Sequence, residues 1–547
     1  MFIRKSTAYN KDGSTRVYFQ LAESVRVNGK PRNKVLASLG RADDVATQQK
    51  ITQMAESLIK ASESLKLFNL LDDLKADSSK EYGPFLVFKR LFKELGLEDI
   101  LSSHLSSINT DFNILEALFN LILNRLTEPV SKRQMTFWEQ DVEGATEFDL
   151  HQYYRAMDYL IDHKDDIERG IFQNQADLFH QELDIVLFDT TTLVYFGEGA
   201  DEKINDEELL DYGFSKARRS DLKQIVVGVL MSKEGVPLAH EVFSGNTNDV
   251  QCFSVVIEQL KVKYCVSNIA LVGDRGMISK SNIREIEEAQ LKYILGYRMR
   301  TICKEERGEI LSKINFKKLK STDLQFKEMD YRGQRLIICY NEERAAKDFS
   351  YREEQIEKLR EKLKNTKSIK QLISDSKARK FIKLNNEKTK ATLDLQKIKD
   401  DELYDGVFVL TTNTKLQALQ VVERYKDLWQ IESGFRQLKS ELQMGPIYHW
   451  KDRRIRAHIM ICFMAFCLRV TLQKRLKAYF KEKSFSFTQL LRDLKSLHAI
   501  TLKVEDKTVK MRTELKEGAN HIFRAIGMRP PNRILHSELE SVVKRLC

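Results

Sequence analysis

Three acidic residues stand where an acid needs a reason. Asp189 follows the apolar run Leu183-Asp-Ile-Val-Leu-Phe188 and opens Asp189-Thr-Thr-Thr192, and Asp274 follows Asn268-Ile-Ala-Leu-Val-Gly273 and opens Asp274-Arg-Gly-Met277. Each run reads as a buried strand, so each aspartate is expected at a strand's C-terminal end. Singly, such a residue is a turn or N-cap aspartate. The third acid, Glu432, lies in Tyr425-Lys-Asp-Leu-Trp-Gln-Ile-Glu432-Ser-Gly-Phe-Arg436-Gln-Leu-Lys439, which reads as a helix. Together the three supply what a two-metal phosphoryl-transfer site requires. Hard divalent cations take carboxylate oxygens. Two such ions about 3.5–4 Å apart activate the attacking oxygen and stabilise the leaving one.

The elements that must position these acids can be read around them. Steps of four, three, four and three residues join Tyr425, Trp429, Glu432, Arg436 and Lys439, which is one stripe of a helix. Alone, Glu432 and Arg436 would be a surface i,i+4 pair worth a few tenths of a kcal/mol (about 0.2–0.5). Beside the two aspartates, Arg436 and Lys439 suit the phosphates of a DNA strand. Gln224–Met231 and Pro237–Phe243 flank the turn Ser232-Lys-Glu-Gly235 as a hairpin, giving three strands in meander order with 183–188. A helix near 250–263 leads to the strand before Asp274. Tyr293–Tyr297 and Gly406–Thr411 supply further strands, the second leading into the Glu432 helix.

Asp189-Thr-Thr-Thr192, Gly213-Phe-Ser-Lys-Ala-Arg-Arg-Ser-Asp-Leu-Lys-Gln224, Phe243-Ser-Gly-Asn-Thr-Asn248, Gly273-Asp-Arg-Gly276 and Tyr425…Glu432…Lys439 resemble the DDE transposases of bacterial insertion sequences. The closer likeness is to the insertion-sequence-four superfamily, marked by a Tyr-x2-Arg-x3-Glu-x6-Lys signature. Spacing fits from Tyr425 to Glu432 to Lys439, but the signature arginine position holds Leu428, with Arg424 and Arg436 as the neighbouring cations. The resemblance implies an α/β fold with an RNase H-like mixed-sheet core and a catalytic, metal-holding triad of Asp189, Asp274 and Glu432. It implies Mg2+ as cofactor, two ions, with Mn2+ able to substitute. Lys216, Arg218, Arg219, Arg275, Tyr425, Arg436 and Lys439 are the DNA contacts within these motifs. The implied reaction is cut-and-paste: water nicks each element end, and the freed 3′-hydroxyl attacks target DNA.

The rest of the chain divides around that core. Residues 1–43 read as a small β-hairpin unit with turns at Asn10–Gly13 and Asn28–Pro31, and 44–180 as a helical, DNA-end-binding region. There Lys132, Arg133 and Gln134 sit near Trp138, a mixture that suits DNA as well as a solvated helix end. The core is expected over 181–300 and 401–470, interrupted by an inserted basic subdomain, 301–400. Asp189 to Asp274 is 85 residues, whereas Asp274 to Glu432 is 158. Residues 342–400 carry 17 Lys and Arg against 11 Asp and Glu, a net of +6 that reads as a solvated face or as a DNA-tracking arm. Phe326, Tyr331 and Phe349 are the rings there that could stack on a base. Past the Glu432 helix, Lys451, Arg453, Arg454 and Arg456 read as phosphate contacts or as a solvated helix start. Residues 471–547 form a helical tail, a candidate for dimerisation.

Composition agrees with this reading. The 547 residues carry 90 Lys and Arg against 79 Asp and Glu, a net charge of +11 that favours an anionic partner. The seven cysteines form no CxxC pair, which excludes a zinc-finger pattern and suggests reduced thiols in the cytoplasm. The most apolar stretch, Ile459–Leu468, is about half the roughly 20 residues of a membrane span and reads as a buried helix. His240, His449 and His458 have no serine or cysteine partner in a recognisable motif. The expected protein is thus a nucleoid-associated DNA transposase working as a homodimer on double-stranded terminal inverted repeats and target DNA. A nuclease or integrase that does not join strands would use the same carboxylates, and a DNA-binding protein without catalysis would need none of them.

Overall fold

The computed structural model describes residues 2–27, 30–72, 74–178, 185–197, 209–216, 218–263, 269–312, 316–318, 324–365, 376–384, 391–481, 483–504 and 507–537. The chain forms two compact units. One comprises 1–79, 499–513 and 531–547; the other comprises 80–498 and 514–530. In the first, Phe2–Tyr9, Thr15–Val27 and Lys30–Arg41 make an antiparallel three-stranded sheet. Its first turn needs Gly13 at a φ of 83°. The expected second turn begins on residues 28 and 29, outside the described residues. Asp44 accepts the Thr47 amide and starts the helix Val45–Asp72. Ile534–Ser537, Lys507–Arg512, His498–Val504 and Leu74–Glu81 form a second sheet in that order, so the tail is more β than its sequence suggests.

The second unit holds the core. Its elements are β1 (Ile185–Val194), β2 (Gln224–Ser232), β3 (Pro237–Ser244), α1 (Asp249–Val262), β4 (Ala270–Gly273), α2 (Lys280–Glu288) and β5 (Lys292–Gly296), followed by β6 (Leu324–Tyr331), β7 (Gln334–Asn341) and β8 (Val407–Thr412). The last are α3 (Ala418–Lys426), α4 (Trp429–Arg436) and α5 (Asp452–Phe480). Among the described residues the sheet has nine strands, ordered Lys317–Lys318, β6, β7, β8, β5, β4, β1, β2, β3. Antiparallel β3, β2 and β1 continue into β4 and β5, which run parallel to β1. That five-strand order and direction is the RNase H-like arrangement. The first part of the insertion extends it, because β7 pairs antiparallel with β8. The helix Glu342–Asn365 and a small pair, Ile382–Leu384 with Ala391–Leu393, follow.

Two expectations need correction. Asp189 does not end its strand: Thr190, Thr191 and Thr192 stay paired with Gly228, Val227 and Val226 of β2, so β1 runs to Val194. β-branched threonines suit a strand, and these three are buried. β4 does stop at Gly273, so β1 outlasts its parallel neighbour and leaves a crevice beside Asp189. The Tyr425–Lys439 stretch is also not one continuous α-helix. Bonds of the i→i+3 kind at Leu428, Gln430 and Ile431 tighten the chain between α3 and α4, and residues 437–441 form a wider π turn.

Alternation along β1 decides which way Asp189 faces. Val186 and Phe188 join the apolar cluster with Phe253 and Ile286 of α1 and α2. Ile185, Leu187 and Leu193 join the opposite cluster, with Ile431, Phe435 and Leu438 around α4. Asp189 shares parity with the second set, the side of the sheet that carries the Glu432 helix. α5 is the hub of that cluster. It is long and apolar enough to cross a membrane, but 94% of its most apolar stretch is buried inside the protein, as a core helix is.

Candidate active site

Asp189 and Asp274 each lie two residues beyond Leu187 and Val272, the last residues through which β1 and β4 pair with each other. They therefore sit at matching levels, Asp189 within β1 and Asp274 just past the end of its parallel neighbour β4. Glu432 faces the same cavity from α4, whose Ile431 and Phe435 are buried and whose Glu432 is exposed. The three acids line one cavity of about 480 Å3, together with Arg275, Tyr425, Leu428 and Trp429.

Hydrogen bonds fix the two aspartates. Asp189 Oδ1 accepts the Thr190 amide at 2.7 Å, and Asp274 Oδ1 accepts the Arg275 amide at 2.7 Å and the Tyr425 hydroxyl at 3.3 Å. Arg298 steadies the loop after Asp274 by donating to the Arg275 and Gly276 carbonyls at 2.9 and 2.8 Å. Burial pushes Asp189 up to about 6, against the pull of Lys216, with Asp249 and Asp274 adding to the rise. Burial also raises Tyr425, as does the neighbouring Asp274 carboxylate.

Lys216 folds back over β1. Its amide donates to Thr192 Oγ1 at 3.0 Å, and its ammonium to the Thr190 carbonyl and hydroxyl, each at 2.8 Å. The ammonium is 3.9 Å from Asp189 and 3.6 Å from Asp249. Asp249 is a fourth acid that sequence reasoning missed. It accepts from the Thr190 hydroxyl at 2.5 Å and faces Gly276, where a Cβ would lie 3.0 Å from its Oδ2. Its signal was its position directly after the Phe243–Asn248 motif. Asp189, Asp274 and Glu432 offer oxygen donors alone, which fit a hard divalent cation. Among the described residues no three such side chains converge closely enough to grip one, and the Lys216 ammonium is the positive charge nearest Asp189 in the structure.

The other sequence-predicted residues separate into near and far. Burial and the Lys216 charge hold Lys439 below its usual value, with Asp189 opposing them, which puts Lys439 within electrostatic reach of the aspartate. Arg436 is exposed on α4 and does not line the cavity. Arg218 is exposed at a φ of 60°, and Arg219 is exposed and paired with Asp221 at 2.7 Å. None of the four cations beyond the π turn lines the cavity. Arg453 binds Asp162 at 2.8 Å, Arg454 lies 4.0 Å from Asp158 and over Tyr154, and Arg456 reaches Glu241 at 3.3 Å. Lys451 lies over Trp450. In the insertion, Tyr331 is buried with its hydroxyl on Glu306, Phe326 is partly buried, and Phe349 is exposed.

The family described as Transposase DDE domain matches residues 180–468, more than half the chain. The family described as IS1634 family transposase, N-terminal domain, matches residues 3–66. No curated protein matches the sequence. Among solved structures, the chain is similar to one in a cryo-EM structure of the piggyBac transposase synaptic complex with hairpin DNA. The identity is 12% over 76% of this chain and 79% of that one, with a TM-score of 0.34. A Mos1 transposase paired-end complex with left transposon end gives 9% identity over 34% of this chain and 60% of that one, with a TM-score of 0.15. With its core matched from β1 through most of α5, this chain belongs to the DDE transposases, within an insertion-sequence family.

Proposed function

We propose that the chain cuts and joins DNA at the ends of its own element, with Asp189, Asp274 and Glu432 as the catalytic acids. The observation that carries this reading is a shared cavity: acids from β1, from the loop after β4 and from α4 all line it. The three would hold divalent cations, Mg2+ in the first instance. Bound there, the ions would activate an attacking oxygen and stabilise the leaving one. The chain's own residues do the rest. The Thr190 and Arg275 amides orient the two aspartates, and the Tyr425 hydroxyl, from α3, holds Asp274. Lys216 and Lys439 balance negative charge beside Asp189 and are placed to meet a phosphate of the strand being cut. Arg275 lines the same cavity. The substrate is double-stranded DNA carrying terminal inverted repeats, then target DNA, and the working form is a homodimer that pairs two ends.

The test uses the purified protein and DNA bearing the inverted repeats that flank its gene, with magnesium or chelator, and wild type or Glu432→Gln. Metal-dependent cuts at the repeat tips that the variant fails to make, with ends joined to a second plasmid, are the expected result. Cleavage without joining would favour a nuclease. Binding without cleavage by wild type and variant alike would overturn the triad.

A further inference from the structure

Away from the carboxylates, the second unit contains another cavity, of about 470 Å3, in its helical part. Arg125, Lys132, Arg133, His449 and His458 line it with Tyr154 among them, and its wall contains no Asp or Glu. Two of these cations belong to the interior, since Arg125 and Lys132 are each only 5% exposed. A buried cation ordinarily has a carboxylate beside it, because an unpaired charge away from water is costly. Elsewhere in this unit the rule holds: Arg352 has Asp405, Arg469 has Glu441, and Lys164 has Glu168 and Glu241.

In this cavity it is broken. Among the described residues, Lys132 has neither a carboxylate at ion-pair distance nor a hydrogen-bond acceptor; burial and the Arg125 charge act against its proton, and only Cys462 favours it. Burial lowers Lys132 to about 7. Arg125 donates to Asn124 and to the Val130 carbonyl, but its Nε has no acceptor. His458 is buried with Nδ1 unpartnered, and His449 is held down to about 4 by burial and by Lys132, Arg454 and Arg125. Lys132 and the Arg125 Nε are therefore donors without acceptors in a space of ligand size, and their missing counterpart is an anion; His458, whose Nε2 donates to the Met444 carbonyl, turns only a lone pair on Nδ1 to its surroundings and adds no donor.

We propose that this cavity is a phosphate-binding site, with Lys132 and Arg125 as its principal donors, and that DNA supplies the phosphate. A tetrahedral oxyanion accepts several charge-assisted hydrogen bonds at once, which matches an ammonium and a guanidinium on one wall. The exposed Arg133 at the rim gives a strand a first contact. The phosphate site rests on this geometry alone, whereas assigning the phosphate to DNA rests on the transposase reading above.

Lys132→Met tests it in the full-length protein, since Met keeps the stem and removes the charge. Without phosphate, the variant is expected to melt at or above the wild-type temperature. Inorganic phosphate, compared with sodium chloride at matched ionic strength, should raise the wild-type midpoint and leave that of Lys132→Met where it was. In binding to a fixed duplex, the slope of log affinity against log salt should fall by about 0.9 for one lost phosphate contact. A lost phosphate effect with an unchanged slope would overturn DNA as the source and leave a free phosphoryl ligand. Equal phosphate effects in both proteins, or none in either, with an unchanged slope, would overturn the site. A wild type that binds no DNA at any salt would sink the transposase reading, and the melting arm would still judge the cavity.

Discussion

Gly296 ends β5 on the wall of the carboxylate cavity, and the space above it is filled. A methyl group at this position would lie 2.7 Å from the Tyr425 hydroxyl and 2.9 Å from the Arg275 backbone nitrogen, whereas ordinary contact begins near 3.4 Å. In Gly296→Ala the hydroxyl must therefore withdraw by about 0.7 Å. A withdrawal directed away from Asp274 would stretch its 3.3 Å bond to about 4.0 Å, beyond hydrogen-bond range. A hydrogen bond to a charged acceptor contributes about 1.5–3 kcal/mol. If Asp274 is a working ligand, the cleavage rate should fall roughly 10- to 100-fold. Single-turnover cleavage of element-end DNA measures this, with thermal unfolding alongside to confirm the fold. Tyr425→Phe removes both the bond and the atom that clashes, so it should lose a similar factor. Adding Gly296→Ala to Tyr425→Phe should then cost far less than it does alone, the residue being the contact with the Arg275 nitrogen. Full activity in Gly296→Ala, or losses that simply multiply in the double variant, would refute the role given to this contact.

Leu428 lines the carboxylate cavity at the position where the signature has arginine, so Leu428→Arg should tighten DNA binding and steepen its salt slope by about 0.9. Arg352 is buried against Asp405, so Arg352→Leu should destabilise the protein by about 3 kcal/mol in denaturant unfolding, and adding Asp405→Asn should recover part of that. Burial lowers His240 from 6.5 to about 4. Folded His240 therefore stays neutral where the unfolded chain would take a proton. Its contribution is complete above about pH 6.5 and is lost as pH falls toward 4, by up to about 3 kcal/mol; His240→Gln should flatten that part of the stability profile.

The two aspartates were legible because each follows a run too apolar to be anything but interior, and Glu432 because it shares one helical stripe with Tyr425, Arg436 and Lys439. Asp189 and Asp274 needed no knowledge of their partners to look displaced, and the five core strands could be read from the same apolar runs. Less visible was anything decided by who packs against whom. Whether β1 continues past Asp189 depends on β2 remaining paired with three threonines, which a window around residue 189 does not contain. The break between α3 and α4 involves Asp427 and Leu428, neither of which is a helix breaker by type. Arg453, Arg454 and Arg456 look like free cations because their carboxylates, at 162, 158 and 241, are hundreds of residues away in sequence. Pairing among the insertion's charges was likewise hidden in the composition. Much of Glu342–Asn365 pairs with itself at one-turn spacing, as Lys347 does with Glu343 and Lys358 with Glu354.

The order in which the acids occur also sets a clock during synthesis. Asp189 and Asp274 are made early, on neighbouring strands, but the wall opposite them comes from α4, 243 residues after Asp189. At roughly 5–20 residues per second, about 12 to 50 seconds separate the first acid from the last on a translating ribosome. From residue 296 onward the growing chain contains β1 to β5 but still has no third carboxylate. On the function proposed above, a chain that stops early, through a frameshift or premature termination anywhere before residue 432, is a sheet without scissors. An unfinished copy would then leave uncut the DNA beside which it is being translated.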